Sequence, residues 1–239
     1  MPYDKDFARQ DIQQAAKGFF VYVCTSIINA AMTMLLELLR KMDCALLLCI
    51  NGAHTPFLDN VMWMLTRTET WIVFYVMATV TLFCCYGRKA WKALLTIALV
   101  IAMADTVSSG VIKPAVQRLR PTHDPTVCDQ LHCHEFADGS LYRGGKYGFV
   151  SSHAANSAAT AIMLYFFLSP YYFKHRRSLM AGLAIYVLLF SYTRVYLGVH
   201  WPTDILGGWV VAAVICAAAC FFLKSEFCTF AVLSERQRR

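Results

Sequence analysis

The chain has 239 residues, of which 58% are apolar and only 15% charged, with a mean hydropathy of +0.47. A soluble domain carries roughly 25% charged residues, so the composition excludes an ordinary soluble protein and describes one embedded in a membrane. The formal charge of +7 does not point to nucleic acid, because the basic residues fall in short clusters between apolar runs and no nucleic-acid motif accompanies them.

The first 17 residues are of mixed charge, and the apolar run after them has no convincing cleavage site, so it reads as an uncleaved first span. A hydrocarbon core takes about 20 apolar residues per helix. On that measure spans are expected near 18–37, 58–85, 90–112, 151–169, 178–198 and 203–223. The first is interrupted by Asn29, and "LLRKMDCALLLCINGAH" (38–54) after it has the pattern of an amphipathic helix at the interface. A start at Met32 or Met34 would leave five spans instead of six. The expected fold is all-α, a polytopic helical bundle in three parts: an N-terminal segment 1–41, a membrane core 42–224 and a basic tail 225–239. Eight of the ten cysteines lie in or beside apolar stretches and act as small hydrophobes.

Loop charge sets the orientation. "YGRKAWK" (86–92), "KHRR" (174–177) and the terminal "ERQRR" (235–239) share one side under a six-span count, and the positive-inside rule assigns that side, with both termini, to the cytoplasm. The loop 113–150 and the junction between the last two spans then face outward.

Three polar stretches at the outward side need a reason beyond packing. In "KPAVQRLRP" (113–121), Lys113 and Arg120 are seven residues apart, a spacing that puts two cations on one face of a helix. They make an anion clamp or a pair of snorkelling interfacial charges. In "FVSSHAANSAA" (149–159), Ser151 or Ser152 caps a helix whose first turn holds His153, and such an N-terminus is an anion site. In "SYTRVYLGVHWPTDILGG" (191–208), His200 and Asp204 are four apart, so the carboxylate can fix the imidazole tautomer, and Arg194 adds a third cation. The three stretches together suit phosphoryl transfer without a metal: cations and amides hold the phosphate oxygens, one histidine attacks phosphorus and the other protonates the leaving oxygen.

These residues resemble the type 2 phosphatidic acid phosphatases, whose signature is K-x6-R-P, then P-S-G-H, then S-R-x5-H-x3-D. Lys113 to Pro121 matches the first part in full, Val150 to His153 the second with two changes, and Thr193, Arg194, His200 and Asp204 the third with threonine for the leading serine. The resemblance covers about residues 42–223 and is similar to short bacterial members. It implies His200 as nucleophile with Asp204 orienting it, and His153 as general acid. Lys113, Arg120, Arg194, Ser151 and Ser152 would bind phosphate. No cofactor and no metal are implied. Ser152 in place of glycine and Val150 in place of proline alter the turn but remove no reacting group.

The resemblance implies a lipid phosphate phosphatase at the outer face of a bacterial inner membrane, acting on the bilayer's own lipids. Undecaprenyl diphosphate, lipid A phosphates, phosphatidylglycerol phosphate and phosphatidic acid are its candidate substrates. A lipid phosphotransferase would use the same site. A transporter or flippase would thread polar residues toward the midplane, whereas here the polar residues gather at one rim, with Asn29 and Asp105 standing inside spans. The oligomeric state is not legible. Asp105 orients the clamp or pairs with Ser108 or Ser109. In the polar loop, Cys128, Cys133, His132 and His134 fit no standard zinc spacing, and a Cys128–Cys133 disulfide is the expectation in an oxidising compartment. Lys146 in "RGGKYG" (143–148) reads as a solvated loop lysine within reach of a head group.

Overall fold

The structure, a computed structural model, describes the backbone of residues 5–237 and the side chains of Tyr22 and residues 25–223. The side chains of the opening mixed-charge stretch and of the basic tail lie outside the described residues. The chain divides into two units, Met1–Asp43 and Cys44–Arg239. Among the described residues there is no strand, only the isolated bridges Leu119↔Tyr147 and Glu135↔Leu141.

Helix α1 runs from Lys5 to Gly52 without a break. The expected interfacial helix 38–54 is therefore not a separate element but the end of this one. Nothing in the stretch stops it: there is no proline, Arg40 and Lys41 are exposed on the helix surface, and the buried Asp43 does not break the helix. Thr55 caps α2 (Pro56–Thr66), accepting a hydrogen bond from the Leu58 amide at 3.2 Å, with Pro56 opening the helix. The span expected over 58–85 divides here. The polar run "TRTET" (66–70) puts Arg67 in extended conformation and a short 3-10 turn at Thr68–Trp71, so of that span only the 15 residues of α3 (Ile72–Tyr86) form one long helix.

A turn at Gly87–Lys89 leads to α4 (Ala90–Asp105), which continues through a π-helical stretch, Thr106–Ile112, into the single turn α5 (Lys113–Val116). The helices α3 and α4 are antiparallel. Trp71 at the start of α3 meets Tyr186 and Phe190, Tyr86 at its end donates to the Phe167 carbonyl at 2.8 Å, and α4 then returns until Asp105 accepts from Asn156. The remaining helices are α6 (Ser152–Leu168), α7 (Arg176–Tyr196) and α8 (Pro202–Gln237).

By length and composition three helical stretches suffice to cross a membrane: Thr68–Val116, whose 49 residues include both α3 and α4, then Phe173–Tyr196 and Pro202–Leu223. Helix α6 is shorter, and its alanine-rich surface is mostly buried between its neighbours. Small residues let helix backbones approach closely without a hydrophobic driving force. Gly208 on α8 is the tightest point, where a β-carbon would lie 2.5 Å from the Ser151 carbonyl oxygen. Outside this core, Val73, Val76, Met77 and Val80 of α3 and Leu206, Val210 and Val214 of α8 are exposed. Large apolar side chains on open helix faces suit a protein whose solvent there is lipid.

Candidate active site

The end of α5, the start of α6, the end of α7 and the start of α8 meet at one end of the bundle. Lys113 donates to the Ser152 hydroxyl at 3.1 Å and the Ser109 hydroxyl at 3.4 Å. The Ser151 amide donates to the Asp204 carbonyl at 2.9 Å, tying α6 to α8. Ser151 is the N-cap of α6, its hydroxyl accepting from the Ala154 amide at 3.4 Å.

Lys113 and Arg120 do not share a helix face, contrary to the expectation from spacing. The helix ends at Val116, Gln117 takes a left-handed conformation (φ 52°), and the chain runs on with Arg120 extended. Arg120 reaches the site from a loop instead, donating through Nε to the Tyr147 carbonyl at 3.2 Å and through Nη1 to the Val199 carbonyl at 3.3 Å. Burial and the neighbouring Arg194 lower its pKa to about 10, which still leaves it charged at neutral pH. Arg194 is 2% exposed. It donates to the Thr66 hydroxyl at 2.7 Å and the Tyr142 hydroxyl at 3.0 Å, while its Nε has no hydrogen-bond partner.

His200 sits in the turn between α7 and α8, buried. Its Nδ1 lies 3.3 Å from Asp204 Oδ2, an oxygen that also accepts from the Trp201 amide at 3.1 Å. Its Nε2 is buried and has no partner. Burial first, then Arg120, Arg194, Lys113 and His153, hold its pKa well below the usual imidazole range, so the ring is neutral. With Nδ1–H directed at the carboxylate, Nε2 carries the free lone pair. His153, in the first turn of α6, stacks on Phe190 with ring centroids 5.8 Å apart. The structure thus brings Lys113, Arg120, Ser151, Ser152, His153, Arg194, His200 and Asp204 around one buried nitrogen. Asp105 accepts from Asn156 Nδ2 at 3.1 Å instead of from Ser108 or Ser109.

Several contributors escaped the sequence reading. Arg118 donates to Asp204 Oδ1 at 2.8 Å and to the Thr203 hydroxyl at 2.6 Å, with its guanidinium over Trp201. The signal was present, since Arg118 is a further cation inside "KPAVQRLRP". Thr66 and Tyr142 hold Arg194 from distant parts of the chain and gave no signal. Gly148 touches the carboxylate: a β-carbon there would lie 2.7 Å from Asp204 Oδ2 and 3.2 Å from Arg120 Cγ. In the loop, Cys128 and Cys133 are free thiols, so the expected disulfide is not formed. His134 stacks on Trp63 at 4.0 Å and His132 on His54 at 3.8 Å, so the loop histidines pair with aromatic rings from other segments.

Buried cations, a helix N-terminus and a neutral, oriented histidine thus stand together at one end of an apolar helical bundle, an arrangement chemically suited to an anion. Comparison with known proteins shows the family: residues 89–226 match the PAP2 superfamily, and the chain belongs to that family, the type 2 phosphatidic acid phosphatases. It is 34% identical over 182 residues to a lipid A 4'-phosphatase of Bacteroides thetaiotaomicron, covering 74% of this chain and 75% of the relative. A lipid A 4'-phosphatase of Porphyromonas gingivalis is 31% identical over 185 residues, covering 75% and 72%. The crystal structure of a transmembrane PAP2-type phosphatidylglycerolphosphate phosphatase from Bacillus subtilis superposes with a TM-score of 0.60 at 25% identity, covering 78% of this chain and 87% of that one.

Proposed function

We propose that this protein is an integral membrane phosphatase that hydrolyses a terminal phosphate from a lipid through a phosphohistidine on His200. One observation carries the reading: Nε2 of His200 is buried and unpartnered, while Nδ1 faces Asp204 and the cations surround the ring. Lys113, Arg120 and Arg194, with Ser151, Ser152 and the first amides of α6, hold the phosphate oxygens. Nε2 forms the N–P bond as the P–O bond to the lipid breaks, and His153 gives its proton to the departing alkoxide. A water activated by the same residue then cleaves the phosphohistidine, releasing inorganic phosphate. No step in this scheme calls on a metal or cofactor.

The head group proposed first is that of lipid A, because two relatives with that activity are matched over more than two thirds of their length. Phosphatidylglycerol phosphate comes second, on the Bacillus subtilis structure. An apolar groove of about 520 Å³ is lined by residues including Pro202, Leu206, Leu188 and Trp209, a lining suited to an acyl chain. We place the protein in a bacterial inner membrane with six crossings, α1, α3, α4–α5, α6, α7 and α8, and the pocket on the periplasmic face.

Phosphate release by the purified protein in detergent, wild type beside His200→Ala, tests the reading across the four candidate lipids. Release by wild type alone is expected, with acid-labile phosphate on the protein. Equal release by both, or release by neither from any lipid, would refute it.

A further inference from the structure

A second cluster of ligating side chains lies apart from His200 and His153. His54, in the link between α1 and α2, Asp59, in the first turn of α2, and His132, in the loop before α6, each offer one ligand atom, all within 4.8 Å of one another. His132 is 73 residues from Asp59, so tertiary structure assembles the group.

Three features show that the group is positioned. Asp59 divides its oxygens, Oδ1 accepting from the Tyr196 hydroxyl at 2.7 Å and Oδ2 lying 3.0 Å from His132 Nε2. The main chain of His132 is held on both sides by buried Asn51, which accepts from its amide and donates to its carbonyl, both at 2.8 Å. The His54 and His132 rings lie face to face, 3.8 Å apart and 9° from parallel, so their edges can present nitrogens to one point.

We propose that His54, Asp59 and His132 bind a divalent transition metal of the zinc class, independently of the phosphatase reading. Two imidazole nitrogens and a carboxylate oxygen are the ligands such an ion prefers, with water completing the shell. Ligands at about 2.0–2.1 Å from a tetrahedral ion stand roughly 3.3 Å apart, close to the 3.0 Å of the His132–Asp59 contact, so binding needs only small shifts of atoms that already lie within 4.8 Å of one another. The exposed rings of His54 and His132 permit that movement, and Tyr196 on Asp59 Oδ1 fixes the carboxylate as an outer-shell donor does. The ion would replace the His132–Asp59 contact and tie the loop to the α1–α2 corner. That loop also supplies Tyr142 to Arg194 and the Tyr147 carbonyl to Arg120, so the metal would fasten the roof of the pocket without entering its chemistry.

Cobalt(II), whose visible absorption reports nitrogen–oxygen coordination, is the probe. Full-length protein in detergent, stripped with EDTA, is titrated with cobalt and then with zinc. One equivalent is expected to give the visible bands, and zinc to displace them. His54→Ala removes a ligand with no hydrogen bond to lose, and it should weaken cobalt binding at least tenfold with an unchanged melting temperature. Asp59→Asn should weaken it similarly. In a second readout, one equivalent of zinc should slow tryptic cleavage at exposed Arg143 and Lys146 several-fold in wild type and not in His54→Ala. Absent bands at one equivalent in wild type, or unchanged affinity in either variant, would overturn the proposal and leave His132–Asp59 as an ion pair beside a stacked ring.

Discussion

Arg118→Met offers the sharpest test of how the pocket is organised, because Arg118 is bound to Asp204 and is not among the residues proposed to hold the phosphate. Asp204 is fully buried, and its Oδ1 accepts from Arg118 at 2.8 Å while its Oδ2 faces His200 and the Trp201 amide. Breaking a fully buried pair costs about 3–5 kcal/mol. The Arg118 side chain is 28% exposed, so water relieves part of that, and we expect a stability loss of about 1–3 kcal/mol, the range of a hydrogen bond to a charged group. The kinetic effect arises because a carboxylate released on one side holds the imidazole less firmly. Removing an orienting outer-shell partner lowers activity about 10–100-fold, equivalent to roughly 1.4–2.7 kcal/mol of barrier. We expect this loss in kcat, with KM within about twofold, since the phosphate contacts remain. Arg118→Lys should recover part of it by restoring the charge without the fork. The assay is steady-state phosphate release from a phosphorylated lipid A, with melting temperature measured in parallel. An unchanged kcat in a folded variant, or a loss confined to KM, would refute a positioning role for Arg118.

His153→Ala should slow release of a lipid alkoxide at least tenfold more than release of p-nitrophenol, which departs without a proton; equal losses on the two substrates would remove His153 from the general-acid role. Gly148→Ala places a β-carbon against Asp204 Oδ2 and Arg120, so kcat should fall about tenfold or more, and wild-type kinetics would show that the contact relaxes freely. Vanadate, which mimics pentacoordinate phosphorus, should inhibit, and in the His54→Ala background EDTA should leave turnover unchanged; inactivation by EDTA there would place a metal in the chemistry. Because His200 is held neutral well below its usual range, acidification through pH 6.5 should not protonate it in the free enzyme. On a substrate whose phosphate does not titrate in that interval, kcat/KM should lack an acid limb near pH 6.5, and a limb there that vanishes in a variant with altered His200 surroundings would show the opposite.

Much of this site was legible because its residues sit at fixed offsets in three short stretches, and helix ends bring such offsets together. Lys113, His153, Arg194, His200 and Asp204 belong to that class. What the sequence hid was of two kinds. Local conformation broke the expected periodicity where one residue left its basin: Gln117 turns left-handed and carries Arg120 off the helix, and Arg67 goes extended and divides the span expected over 58–85. Long-range partners left no pattern at all. Thr66 and Tyr142 meet Arg194 from positions 128 and 52 residues away, and a lone threonine or tyrosine looks the same whether or not a guanidinium awaits it. The uninterrupted α1 is the converse case, where charges suggested a boundary that helical propensity ignored.

The partners of the buried cations support the proposal that the pocket takes a phosphate. A guanidinium as enclosed as Arg194 must be stabilised by something, and a carboxylate would do it best. Here the groups facing Arg120 and Arg194 are neutral: the carbonyls of Tyr147 and Val199 and the hydroxyls of Thr66 and Tyr142. These dipoles orient the two cations without cancelling their charge. The nearby carboxylate Asp204 is engaged by Arg118 and His200, and Asp105 accepts from Asn156. A carboxylate on Arg194 would have to be displaced by every incoming substrate, whereas hydroxyls remain as the phosphate arrives. Positive charge is thus kept in reserve within a low-dielectric enclosure, where under the proposed function it would act most strongly on the phosphate dianion and on the further charge that develops on the equatorial oxygens. Burial and the same cations hold His200 neutral, so under the proposed function the field that would attract the phosphate would also keep the nucleophile ready for it.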